Sequence, residues 1–163
     1  MSRPGGTRAR RGRGQTLAEF AMVVPLILLL LLGAVDLGRA VFAYNTLSQA
    51  ARAGARTAIV NQDLTAVRAK AIAAAATLGL GTSNVDVCFK TSTTTQTGCA
   101  SATVDNCPIA TRQIGCMAFV TTRLTYQPMT PFVGLLFGSI NLASTSVAPI
   151  EFVCPASSTG SCP

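Results

Sequence analysis

Glu19 is the one carboxylate in a setting where charge is expensive. It opens an otherwise uncharged run, Phe20 to Val35, FAMVVPLILLLLLGAV. An ionised side chain there needs a cationic partner or a proton. The other residues with chemistry to offer are six cysteines, Cys88, Cys99, Cys107, Cys116, Cys154 and Cys162, all beyond residue 87. An even number in one region, with no Cys-x-x-Cys and no histidine anywhere, favours disulfides in an oxidising compartment over a metal site. The chain holds six carboxylates, at Glu19, Asp36, Asp63, Asp86, Asp105 and Glu151, scattered rather than paired. Without histidine or a carboxylate pair, general acid–base catalysis has few candidates. No catalytic site, metal or cofactor is expected.

Charge is as unevenly spread as the cysteines. The 163 residues carry a net +7, of which residues 1–14 supply +5 through Arg3, Arg8, Arg10, Arg11 and Arg13. The near-neutral remainder argues against a nucleic-acid partner. A basic segment before an apolar run is a topology signal that keeps the N-terminus in the cytoplasm. Extended past its bounding carboxylates, the run gives a membrane span of about residues 17–37, close to the ~20 residues a crossing helix needs. The cysteines then lie outside, in agreement with the disulfide reading. A secretory signal cut after Ala43 competes with this. Against it, a helical pattern continues without interruption: Asn45, Gln49, Arg52 and Arg56 form a polar stripe, and Val41, Tyr44, Leu47, Ala51, Ala55 and Ala58 an apolar or small one.

At the start of the run the chain reads RARRGRG followed by QTLAEFAMVVPLILLLLL. A cut between Gly14 and Gln15 makes Glu19 the fifth mature residue, with Phe20 behind it. Basic leader, terminal glycine, this glutamate and a long apolar helix resemble the class III signal of type IV pilins. The Glu-Phe pair resembles the Tad/Flp branch. Pro25 inside the run, the Asp36-Leu37-Gly38-Arg39 exit and the Ala51-Arg52-Ala53-Gly54-Ala55-Arg56 segment extend the likeness to about Val60. Over this length the chain is similar to TadE-like minor pilins (pseudopilins). The resemblance implies a non-enzymatic filament subunit whose leader, residues 1–14, is removed by a prepilin peptidase. It implies a single-pass protein of the cytoplasmic membrane, head outside, that can be drawn into an extracellular filament. The implied partners are that peptidase, the major pilin, other minor pilins, the inner-membrane assembly platform and membrane lipid. Glu19, with Phe20, is implied to set register by neutralising the Gln15 ammonium of its own or a neighbouring chain; a helix-capping role is the plainer alternative. A membrane-tethered binding domain that never enters a filament is the alternative function. At the far end of the run, Asp36 and Arg39 stand at i, i+3 and can pair where the helix leaves the bilayer.

These residues require a particular scaffold. A first helix is expected over residues 15–60, with Pro25 kinking it. Asn61-Gln62-Asp63 breaks it, and Asp63 caps a second helix from Leu64 to Leu78 that presents Leu64, Val67, Ala71, Ala75 and Leu78 on one face. Gly79 and Gly81 stop that helix. Three strands follow, Asn84 to Lys90, Cys116 to Tyr126 and Asn141 to Phe152, expected as an antiparallel sheet. Between the first two lies a Thr/Ser-rich loop, Thr91 to Ala110. Pro128 to Gly138 makes a short break, with Thr130 as a helix cap. Nested bridges Cys88–Cys116, Cys99–Cys107 and Cys154–Cys162 are expected. The fold class is α+β: a long N-terminal transmembrane helix, a disulfide-stapled head at 61–153 outside the membrane, and a Cys/Ser/Pro-rich tail at 154–163.

Overall fold

The computed structural model describes residues 12–91, 99, 107, 115–130, 133–135 and 138–151. Helix α1 (Gly12–Val60) runs for 49 residues and carries on through Pro25. Helix α2 (Leu64–Ala74) folds back against it. A short 3-10 turn (Ala76–Leu78) extends α2, and Gly79 ends it at φ 61°, a left-handed conformation that glycine adopts without penalty. The expected single helix to Leu78 therefore tightens in its last turn.

The turn between the helices is made by its side chains. The Gln62 amide, buried, donates to the Ala58 and Ile59 carbonyls at the end of α1. Asp63 accepts from the Thr65 backbone N–H at 3.0 Å, the capping bond expected for α2.

Strands β1 (Val85–Lys90), β2 (Met117–Tyr126) and β3 (Ile140–Pro149) form an antiparallel sheet in the order β1-β2-β3. In register, Val87 faces Val120 and Leu124 faces Leu142. Alternation sends Ala118, Val120 and Thr122 towards the helices and Phe119 and Thr121 to the outer face. The core is therefore a sandwich of two helices on one face of a three-stranded sheet.

Helix α1 meets this core through small residues. Ala43, Leu47, Ala50, Ala51, Gly54, Ala55 and Ala58 are buried. Gly54 is the point of closest approach: a methyl there would lie 3.0 Å from Val120 Cγ1 and 3.2 Å from Ala71 Cβ. The polar stripe Asn45, Gln49, Arg52 and Arg56 is exposed as its spacing demands. Val41 and Tyr44, assigned to the packing stripe by periodicity, are instead exposed on the side of α1 away from the head. Ala43, Ala50 and Gly54 take their place.

The nested cysteine pairing is also corrected. Cys88 bonds Cys99 and Cys107 bonds Cys116, with Cα separations of 5.7 Å and 6.4 Å. Cys88 faces Phe119 across the β1–β2 ladder, three residues from Cys116, roughly 10 Å along a strand. Parity also puts the two on opposite faces of the sheet. A Cys88–Cys116 bridge is therefore excluded by distance and by direction. The Cys88–Cys99 bridge sits with Phe119, Met117 and Val147 on the outer face, while Cys107–Cys116 joins the core under the helices. The expected Cys154–Cys162 bridge lies outside the described residues.

Candidate functional site: a bare apolar sleeve and its collar

One helix is used in two ways. From Gly14 to Val35 the side chains of α1 are exposed, with only Val24 and Gly33 half-buried. Leu17 is 73% exposed, Leu28 52% and Val35 61%. These 22 residues (14 through 35) would extend ~33 Å at ~1.5 Å each, against ~30 Å for the hydrocarbon core of a bilayer. Among the described residues this is the one helix long and apolar enough to cross a membrane, with a mean hydropathy of 2.6 in its most apolar window. It fits a single-pass membrane anchor.

Two carboxylates bracket the sleeve, and they are treated differently. Gly14, Gln15, Glu19 and Phe20 all lie on its exposed lower end, with open space around Gly14. Among the described residues, no head element reaches them. Gln15 and Glu19 stand one helical turn apart on the same face, the spacing at which an amine and a carboxylate meet.

Asp36, at the upper end, is the first buried residue after Gly14 and is only 5% exposed. Its Oδ1 accepts the Met129 N–H at 3.2 Å, and its Oδ2 accepts the Thr130 N–H at 3.1 Å together with the Thr130 hydroxyl. The Tyr126 hydroxyl donates to the Asp36 carbonyl at 3.0 Å. Buried acceptors are thus matched by donors from the end of β2 and the connection after it. This forms a collar where the head closes round the helix.

Arg39, at i, i+3 from Asp36, could pair with it or stand solvated. Its guanidinium is instead turned to the Met129 sulfur, and the aspartate is taken by residues more than 90 positions away. Thr130, expected as a helix cap, spends its hydroxyl on Asp36. Tyr126 and Met129 were not singled out in sequence. The signal for Tyr126 was its parity: it lies on the same β2 face as Val120 and Thr122, so its ring had to point at α1.

Above the collar an open cleft of about 340 Å³ lies between Arg39, Phe42, Leu78, Leu124 and Tyr126. It contains no carboxylate or cysteine. Among the described residues no three His, Cys, Asp or Glu side chains cluster as metal ligands. On the outer face of the sheet, Arg123 pairs with Asp86 at 3.2 Å and donates to the Cys99 carbonyl at 2.8 Å. That arrangement holds Cys99 against Phe119.

A family model described as TadE-like protein matches residues 14–56. Over this segment the chain is similar to that family. The matched segment begins at Gly14, takes in the whole sleeve and the Asp36 end of the collar, and stops within the head-packed part of α1. No curated protein and no solved structure matches the chain. The TadE-like match points to a protein associated with a Tad pilus and so to contact with other components of that pilus. It stops short of α2 and the sheet, so it carries no information on the head.

Proposed function

We propose that this chain is a minor pilin, or pseudopilin, of a Tad-type pilus: a structural subunit without enzymatic activity. In this reading a prepilin peptidase removes residues 1–14 at the cytoplasmic face. The mature chain waits in the membrane with its head outside, then passes into a filament through its sleeve. The major pilin, other minor pilins and the assembly platform are the partners. The observation that supports this best is the bare sleeve itself. It runs from the Gly14–Gln15 junction to the Asp36 collar, with Glu19 one turn from the new terminus and, among the described residues, no element covering it. A surface of that length must be covered by lipid, by neighbouring helices, or by each in turn. Transfer between those two surroundings is what filament assembly requires.

Glu19 carries the register in this proposal. In an apolar bundle its carboxylate must find a cation, and the nearest new cation is a Gln15 ammonium on its own or a neighbouring chain. Two measurements test the proposal. The mature N-terminus, read by intact mass from the membrane fraction, should be Gln15; a chain beginning at Tyr44 rejects the pilin reading in favour of a secreted product, and one beginning at Met1 favours a tethered domain. Glu19→Gln should be cleaved and inserted normally yet be absent from filaments, with Glu19→Asp intermediate. If Glu19 only caps the helix, the Gln variant loses about 0.3–1 kcal/mol of macrodipole interaction and enters filaments as before.

A further inference from the structure

The head is divided by charge along its long axis. Helix α1 enters at Asp36 and climbs to Val60; α2 descends, β1 climbs, β2 descends to Tyr126 and β3 climbs from Ile140. The lower end is therefore built from the start of the head-packed part of α1, the stretch after α2, and the β2–β3 connection. Between Asp36 and Arg52 the only charged residue is Arg39. Residues 71–85 carry no charge, and neither do residues 124–150. Arg52, Arg56, Asp63, Lys90 and Glu151 belong to the upper part, and Arg68, Lys70 and the paired Asp86 and Arg123 to the middle.

At this end, where Arg39 is the one exposed charge, the β2–β3 connection exposes apolar side chains. Met129 is 77% exposed and Leu135 85%. A helical turn at 133–135 supports Leu135, with the Gly134 N–H bonded to the Thr130 carbonyl at 3.0 Å. The three hydrogen bonds from Met129 and Thr130 to the Asp36 carboxylate fix this connection beside the last turn of the sleeve. Wherever the sleeve ends in a bilayer, Met129 and its neighbours are held at that depth. Arg39, whose guanidinium contacts Met129, is then level with the lipid phosphates, where a long cationic side chain is favoured.

We propose that the β2–β3 connection is a second membrane contact: Met129 and Leu135 enter the outer interfacial layer of the bilayer and seat the head on its surface. This rests on the anchor reading of the sleeve. Its consequence is that extraction into a filament requires both the sleeve and this apolar foot to leave lipid. The occupant is lipid rather than a protein groove because Met129 and Thr130 adjoin the last turn of the sleeve at Asp36, and because Arg39 is the one exposed charge at this end, placed where lipid phosphates would meet it.

The chain has no tryptophan, so single tryptophans report position cleanly. The full chain is placed in phospholipid vesicles whose acyl chains carry bromine either near the headgroup or near the bilayer centre. Leu28→Trp reports the sleeve, Leu135→Trp the foot, and Glu151→Trp the upper end of the head. The proposal expects Leu135→Trp to shift to the blue and lose most of its emission with the shallow bromines. Glu151→Trp should keep its emission with both, and Leu28→Trp should lose it to the deep ones. Met129→Trp should behave as Leu135→Trp does, guarding against a local effect of one substitution. Leu135→Trp and Met129→Trp that respond like Glu151→Trp, while Leu28→Trp is quenched, overturn the foot and leave the anchor standing. An unquenched Leu28→Trp overturns the anchor and the foot with it.

Discussion

The two halves of α1 are continuous in backbone and opposite in side chains. Below Asp36 the helix is built from Leu, Ile, Val, Met and Phe, and these are exposed. Above it the buried positions are mostly Ala and Gly, with Leu47 the one large side chain among them. The contrast follows from what each half must touch. Lipid or a neighbour's apolar helix accepts bulky side chains in any rotamer and rewards apolar area. A sheet and a second helix packed at close distance leave no room for them, so α1 approaches through Gly54 with Val120 and Ala71 in contact. Side-chain size, more than hydrophobicity, marks where the membrane part of the helix ends and the head begins.

Leucine truncation at one site in each half separates the two most strongly. Leu47 is fully buried between α1 and the descending strand, and the Thr122 hydroxyl donates to its carbonyl at 3.0 Å. Leu47→Ala should cost the head about 2–5 kcal/mol, as buried leucine truncations do. Leu28→Ala, in the sleeve, should leave head stability unchanged. Hydrogen exchange of head amides in detergent micelles reads both; equal losses would mean that the halves are not independent.

The disulfides come next. Cys88–Cys99 ties β1 to the connection that follows it, Cys107–Cys116 ties that connection to the start of β2, and neither is in the sleeve. Removing either pair as a double Cys→Ser variant should lower head stability by about 2–4 kcal/mol. Loss of Cys107–Cys116 should be the more damaging, since it sits in the core beneath the helices. Membrane insertion should survive both losses. Non-reducing peptide mapping that links Cys88 to Cys116 would refute the pairing described above.

Gly54 tests how close the approach must be. Gly54→Leu drives a branched side chain into Val120 and Ala71 and should cost about 1–3 kcal/mol through overpacking. Gly33→Leu, in the sleeve with nothing within 4 Å, should be neutral for the head. A thermal melt followed by circular dichroism distinguishes them.

What could be read from sequence was local. The helix of 15–60, the Asp63 cap, the Gly79 stop and the three strands each depend on residues within a few positions of one another, where periodicity and capping chemistry act directly. The misses were contacts across distance. Val41 and Tyr44 fit the apolar period, but the sleeve's own pattern runs past Asp36 onto the back of the helix, and period alone cannot say which face the head covers. The Cys88 partner depended on strand register and on which face of the sheet each sulfur leaves from, neither visible in cysteine spacing. The Asp36 collar joins residues 90 to 94 positions apart. In sequence Arg39 was the near candidate, and the backbone N–H groups that bond the carboxylate carry no sequence signature.

The smallest effect belongs to the helical hairpin at the top of the head, furthest from the sleeve. Asp63 is exposed, and its carboxylate is held below the usual aspartate range by the Thr65 hydroxyl first, then by the Thr65 backbone N–H. A folded-state pKa below the unfolded value means that the unfolded chain binds the proton more readily. The cap's contribution is therefore complete above the unfolded value near 3.8 and fades as pH falls through the lower folded value. Asp63→Ala should cost about 0.5–2 kcal/mol at neutral pH, the range for losing an N-cap. Asp63→Asn keeps an acceptor oxygen and should recover most of that loss while removing the acid sensitivity. The two variants together separate charge from capping: stability measured at pH 7 and again below pH 3 should converge for wild type and Asp63→Asn. If instead the wild type stays more stable than Asp63→Asn at the lower pH, the carboxylate's charge is not what holds the start of α2. The insertion of the sleeve should be the same in all three chains, because nothing in the hairpin reaches below the collar.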